Sequence, residues 1–186
     1  MGAQKAAWQA SFSAESAALT GEDHAQGLVD LVKAFEIVPH DMLVQAARSL
    51  GYPMRLIRLS LAAYRLRRTI GIDGAYSKLV RACRGITAGS GFATTELKVL
   101  LHDLMVLLRA RWSGTLSSKL YVDDLTLAAS GLPQKVIRVV AEAVDFAVEF
   151  LEIGLGMEVS AKKSKILASR RCIAEAILRA WKTHRT

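Results

Sequence analysis

The stretch whose reading decides the fold is Lys119-Leu-Tyr-Val-Asp-Asp-Leu-Thr-Leu-Ala-Ala-Ser130, in which two adjacent carboxylates interrupt an apolar run. It reads as a strand, an acidic turn at Asp123 and Asp124, and a second strand. Two negative charges at the tip of a buried hairpin are costly unless a cation sits beside them. A divalent metal would give the pair a chemical purpose. Asp is also a common turn residue, so the pair by itself equally admits a solvated hairpin tip.

Around this hairpin lie 186 residues with 52% apolar content, which fits one globular domain burying about 70% of its unfolded surface. Lys and Arg number 25 against 17 acids, a net charge of +8. That balance favours a polyanionic partner, nucleic acid first. Cys83 and Cys172 show neither metal-type spacing nor a disulfide framework, which suits a reducing, intracellular compartment and leaves nucleus and cytoplasm both open. The first twenty residues lack the apolar core of a secretory signal. The longest apolar run, residues 97–108, contains Lys98, His102 and Asp103 and is too short to span a bilayer, so no membrane partner is expected. His24, His40, His102 and His184 lack zinc spacing and suit structural roles.

Residues 1–20 carry no motif and fit either a helix or a loose arm. Gly27-Leu-Val-Asp-Leu-Val32 predicts a strand with an acid inside it. Asp41 is placed to cap a helix that runs through Leu43, Ala46, Ala47 and Leu50 to Gly51, and a second helix is predicted over 54–66. Residues 69–74 and 78–83 read as a strand and its return. A Gly-rich loop at 85–91 leads into one helix over 94–111. After the acidic hairpin, Val136, Val140, Ala143, Ala147 and Phe150 mark an amphipathic helix that Gly154 and Gly156 stop. A strand near 165–168 and a helix from Ile173 complete the pattern.

Asp30 is the second unusual carboxylate. Alone it fits a loop-entry or capping role. Together with Asp123 it forms a pair of acids at strand ends, which would repel each other at a shared point until a metal relieved them. Four segments then carry a resemblance: Asp30-Leu-Val-Lys-Ala-Phe35, Gly85-Ile-Thr-Ala-Gly-Ser90, Tyr121-Val-Asp-Asp124 and Gly156-Met-Glu-Val-Ser-Ala-Lys-Lys-Ser164. In order and spacing they resemble the palm motifs of reverse transcriptases, particularly those of non-LTR retrotransposons and group II introns. Pro39-His40-Asp41 after the Phe is closest to the retrotransposon type.

The resemblance implies an α/β (α+β) fold: a polymerase palm-type antiparallel sheet backed by helices, with partial fingers and the acidic hairpin at its centre. Residues 25–170 would form the palm, residues 1–24 an arm or helix left from the fingers, and residues 171–186 a C-terminal helix. It implies RNA-directed DNA synthesis on a primer 3′-hydroxyl, with RNA template, DNA primer and deoxynucleoside triphosphates as partners. Two Mg²⁺ ions, replaceable by Mn²⁺, would be held by Asp30, Asp123, Asp124 and the carbonyl of Leu31. Phe35 would lie under the nucleotide sugar and exclude a 2′-hydroxyl, while Ala88, Gly89 and Ser90 would line the nucleotide pocket. Lys163 matches a lysine that donates a proton to pyrophosphate or steadies its charge, although beside Lys162 and Lys165 it also fits a solvated basic strand.

The chain departs from the family pattern at Thr87-Ala88, where Pro-Gln is usual, and at Ser160, where Asn is usual. Arg55, Arg58, Arg65, Arg67 and Arg68 form the densest basic patch, fitted to sequence-blind phosphate contacts or to a solvated face. Little sequence precedes Asp30 and only about twenty residues follow the last motif, so fingers and thumb segments or a fuller polyprotein are expected to be needed. Two other readings stay open: a palm-type RNA-directed RNA polymerase, and a catalytically silent nucleic-acid-binding domain derived from a retroelement.

Overall fold

The computed structural model describes residues 3–87 and 89–183; Ala88 and His184 lie outside them. In chain order the elements are α1 (Ala3–Leu19), β1 (Asp23–Val29), α2 (His40–Ser49), α3 (Met54–Tyr64), β2 (Gly71–Ile72), β3 (Ala75–Tyr76), α4 (Ala93–Leu100), α5 (His102–Arg111), β4 (Ser117–Tyr121), β5 (Asp124–Gly131), α6 (Pro133–Glu149), β6 (Lys165–Ala168) and α7 (Arg171–Thr183). They fall into two compact units, residues 1–32 with 103–186, and residues 33–102.

The first unit is built on an antiparallel sheet of order β4-β5-β1-β6. Alternation sets its inner face: Ala25, Gly27 and Val29 of β1 and Leu125, Leu127 and Ala129 of β5 are buried. Helix α6 opens with Pro133 in its first turn, where a missing N–H costs nothing. Val136, Val140, Ala143, Val144 and Ala147 form its buried stripe. The helix comes down on Gly27 so closely that a Cβ there would stand under 3.0 Å from Val144 Cγ2. A π-helical turn, Phe150–Gly154, ends α6. In α7, Ile173 and Ile177 are buried one turn apart. Arg170 grips the Asp23 carboxylate with Nε (2.8 Å) and Nη2, tying the start of β1 to the entry of α7.

The second unit packs α2 against α3 and α4, with Leu43, Ala47, Ile57 and Leu97 fully buried. Its short hairpin, β2–β3, turns on Asp73 (φ 48°) and Gly74 (φ 81°). Positive φ at both central residues is the turn geometry that matches strand twist.

Of the two forms open to residues 1–20, the helix is present, over Ala3–Leu19. Other expectations need correction. Pro39 occupies the N-cap of α2 with no side-chain cap bond; Asp41 is instead in the first turn. The return strand starts at once after the Asp73-Gly74 turn, leaving only an isolated Arg68–Val80 bridge further on. The helix expected over 94–111 is two, interrupted at Leu101 beside the polar pair His102-Asp103. Strand β1 ends at Val29, so Asp30 follows the strand instead of lying inside it. The acidic hairpin occupies one side of the sheet: β5 and β1 are the central strands, and β4 is an edge.

Candidate active site

Register delivers the acids to one end of the sheet. Val29 pairs with Leu125, and Tyr121 pairs with Asp124 to close the acidic turn. The residue after Val29, Asp30, therefore emerges beside that turn. On its other side Asp30 is fixed by the segment leading into β6: its N–H donates to Ser164 Oγ (3.1 Å), and its carbonyl accepts from the Ser160 N–H (2.8 Å). The Val32 N–H donates to the Glu158 carbonyl (2.9 Å). These two bonds flank an isolated Leu31–Val159 bridge. In such a pair the flanking residues make the bonds, so the carbonyl of Leu31 faces away from residue 159.

The side chains make a strongly polar corner. One carboxylate oxygen of Asp30, Oδ2, is buried and accepts no hydrogen bond. Its counter-charge is the Lys163 ammonium at 3.6 Å. The carboxyl of Asp124 is pushed above its usual range, first by burial, then by the charges of Asp123 and Asp30, with Lys163 pulling the other way. Val122, in the turn itself, has φ of 58°. A β-branched residue there stores about 1–3 kcal/mol of strain, which folds tolerate mainly where function demands the geometry.

A divalent metal suits this donor set: a buried carboxylate oxygen without a donor, mutually repelling acids, and an outward carbonyl are what a hard cation would relieve. Among the described residues no group of three or more His, Cys, Asp or Glu side chains is placed so as to hold a metal ion. Mg²⁺ does not require one, since it binds through one or two carboxylates and takes its remaining oxygens from water and substrate phosphates.

The other sequence-predicted residues lie in the second unit. Phe35 is half-buried, and its carbonyl accepts from the Ile86 N–H (2.8 Å). Gly85 opens the Gly-rich loop with φ of 92°, and a Cβ there would strike the Glu36 carbonyl oxygen at 2.7 Å. Gly89 has φ of 90°, so it serves the backbone conformation. The Ser90 N–H donates to the Thr87 carbonyl (3.0 Å). Of the five arginines, Arg65 is committed to His40 Nδ1 (3.0 Å) and Asp41 (3.5 Å), and Arg68 to the Tyr64 carbonyl (2.8 Å). Arg55, Arg58 and Arg67 remain exposed on the surface.

Sequence reasoning passed over a buried polar group in the same unit. Glu96 is fully buried on α4 and accepts from the Tyr64 hydroxyl (2.9 Å), while its Oε1 has no hydrogen-bond partner. The signal was present: Glu96 falls on the same helical face as buried Ala93, Leu97 and Leu100, where an acid is unexpected. Ser164 was quoted only as the last residue of a motif, with no role of its own.

An antiparallel sheet of order β4-β5-β1-β6 backed by helices, with carboxylates at the end of β1 and at the turn into β5, is a polymerase-like palm fold. The chain belongs to the reverse transcriptase (RNA-dependent DNA polymerase) family, whose model matches residues 4–180. None of the curated proteins matches the chain. Among solved structures it is similar to the apo telomerase of Candida tropicalis truncated from its C-terminal domain, at 12% identity and a TM-score of 0.64 over 91% of this chain. At that identity the likeness concerns the fold. The chain spans 36% of the telomerase chain.

Proposed function

We propose that this chain is the catalytic palm of an RNA-directed DNA polymerase of the retroelement type, adding deoxynucleotides to a primer 3′-hydroxyl on an RNA template. The observation that carries the reading is the convergence of Asp30 with the Asp123-Asp124 turn, with a buried Asp30 oxygen left without a hydrogen bond. Asp30, Asp123, Asp124 and the Leu31 carbonyl would hold Mg²⁺ ions. When bound, these supply Lewis-acid activation of the primer hydroxyl and neutralise charge on the leaving pyrophosphate. Lys163 is the group able to hold or give a proton at the pyrophosphate oxygen, and its ammonium already stands 3.6 Å from Asp30. Phe35, Gly89 and Ser90, with Ala88, are assigned to the nucleotide on the strength of the motif resemblance, and Phe35 would disfavour a 2′-hydroxyl by bulk. Arg55, Arg58 and Arg67 suit phosphate contacts to the template–primer, which are sequence-blind.

Primer extension on an RNA template, with deoxy- and ribonucleotides compared in Mg²⁺, tests this. Incorporation of deoxynucleotides supports it; preference for ribonucleotides would assign an RNA polymerase, and no incorporation of either would contradict it. A second reading, a silent nucleic-acid-binding domain, is favoured by Thr87-Ala88 standing where the family has Pro-Gln. Binding of an RNA·DNA duplex that ignores both Mg²⁺ and loss of Asp123 would select that reading.

A further inference from the structure

Two consecutive residues at the end of α3, Tyr64 and Arg65, reach opposite ends of the Gly-rich loop. Arg65 Nε donates to His40 Nδ1 (3.0 Å), and His40 Nε2 donates to the Gly85 carbonyl (2.7 Å). Both ring nitrogens are thereby used, which fixes the tautomer and the ring orientation. At the other end the Ser90 hydroxyl lies 3.1 Å from the Tyr64 hydroxyl. Tyr64 has one proton, and the Glu96 carboxylate 2.9 Å away only accepts. The order is therefore Ser90 to Tyr64 to Glu96, a relay of donors ending on a buried acid. Burial first, with the Glu96 charge among the further causes, holds the Tyr64 hydroxyl above its usual pKa, so it stays a donor. The Ser90 backbone carbonyl accepts from the Ala93 N–H (3.1 Å) at the start of α4.

We propose that Tyr64, oriented by Glu96, is a positioning residue that sets the Gly89–Ser90 turn in the conformation that receives the incoming nucleotide, with His40 and Arg65 fixing the opposite end of the loop at Gly85. This rests on the assignment of Gly89 and Ser90 to the nucleotide. A buried acid is a costly anchor for a loop. Its use here gives the Tyr64 hydroxyl one fixed direction, which a solvent-facing partner would not.

The test is a set of three variants of the full chain: Tyr64→Phe, Glu96→Gln, and the pair Tyr64→Phe with Glu96→Leu. Tyr64→Phe leaves Glu96 without its donor and is expected to lower Tm as well as loosen the loop. The double variant removes both polar partners together, so its Tm should return toward the wild-type value. Hydrogen exchange at residues 86–92 should quicken in Tyr64→Phe and in the double variant alike. KM for deoxynucleotide should rise about fivefold in both, the equivalent of one net hydrogen bond, with kcat within about twofold of wild type. Glu96→Gln keeps an acceptor and should stay near wild type in loop exchange. A double variant whose KM and loop exchange return to wild type along with its Tm would overturn the proposal, because the effect would then be stability alone. Faster loop exchange in a chain that adds no nucleotide at all would support the clamp and overturn the polymerase reading instead.

Discussion

Replacing Gly27 with alanine perturbs the contact that positions the strand leading to Asp30. The added Cβ would stand under 3.0 Å from Val144 Cγ2, with Ile166 Cδ1 at 3.6 Å and Val140 Cγ1 at 3.8 Å. Comfortable carbon contacts are about 3.5–4.0 Å, so β1 and α6 must separate by at least roughly half an ångström at this point. Val144 cannot swing aside easily, because a β-branched residue in a helix has one strongly preferred rotamer. Overpacking of this kind costs about 1–3 kcal/mol. The loss of unfolded-state entropy on going from Gly to Ala offsets about 0.4–1 kcal/mol of it. The expected net destabilisation is about 1–2 kcal/mol, a fall in Tm of roughly 2–8 °C for a chain of this size. Thermal and urea unfolding followed by circular dichroism measure it. Val144→Ala should suppress the effect, leaving a coupling between the two changes of about 0.5 kcal/mol or more. An unchanged Tm for Gly27→Ala, or strictly additive effects in the pair, would refute the close approach of α6 to β1.

In metal-free buffer, Asp124→Asn should raise stability at neutral pH and leave it unchanged near pH 3. The sign follows from the raised carboxyl of Asp124: its contribution is fully present below the unfolded pKa of about 3.9 and is lost as pH rises through the higher folded value. Equal Tm differences at the two pH values would contradict this. Lys163→Met should lower kcat for primer extension about a hundredfold or more. Its side chain is 72% exposed, so the ion pair with Asp30 should contribute less than about 1 kcal/mol to unfolding stability. Arg58→Ala and Arg67→Ala should each weaken binding of single-stranded RNA about equally across sequences. Each should also reduce the slope of log K against log salt by about 0.7, and an unchanged slope would remove that arginine from the interface.

The placing of the three acids at one end of the sheet was legible because it lies in local patterns. An acid at the end of an apolar strand, and two more in a turn between apolar runs, stand out in one dimension, and antiparallel register turns that into proximity. What escaped notice depends on tertiary placement. The break at Leu101 falls just before His102-Asp103, a polar pair that does not by itself mark a helix end. Arg65 read as a surface cation, although its guanidinium is spent on His40 and Asp41. The partnership of Tyr64 with Glu96 joins residues 32 apart in sequence, and no helical or strand period connects them. The strain at Val122 is likewise a property of φ, which the residue name does not carry.

The central claim is that Asp30, Asp123 and Asp124 form a site for metal-dependent nucleotidyl transfer. The most direct measurement is single-nucleotide extension of a primer on an RNA template in Mg²⁺ by the wild-type chain and by Asp123→Ala, with folding of both checked by circular dichroism. Extension by the wild type and none by a folded Asp123→Ala is the expected result. Equal extension by the two would contradict the claim.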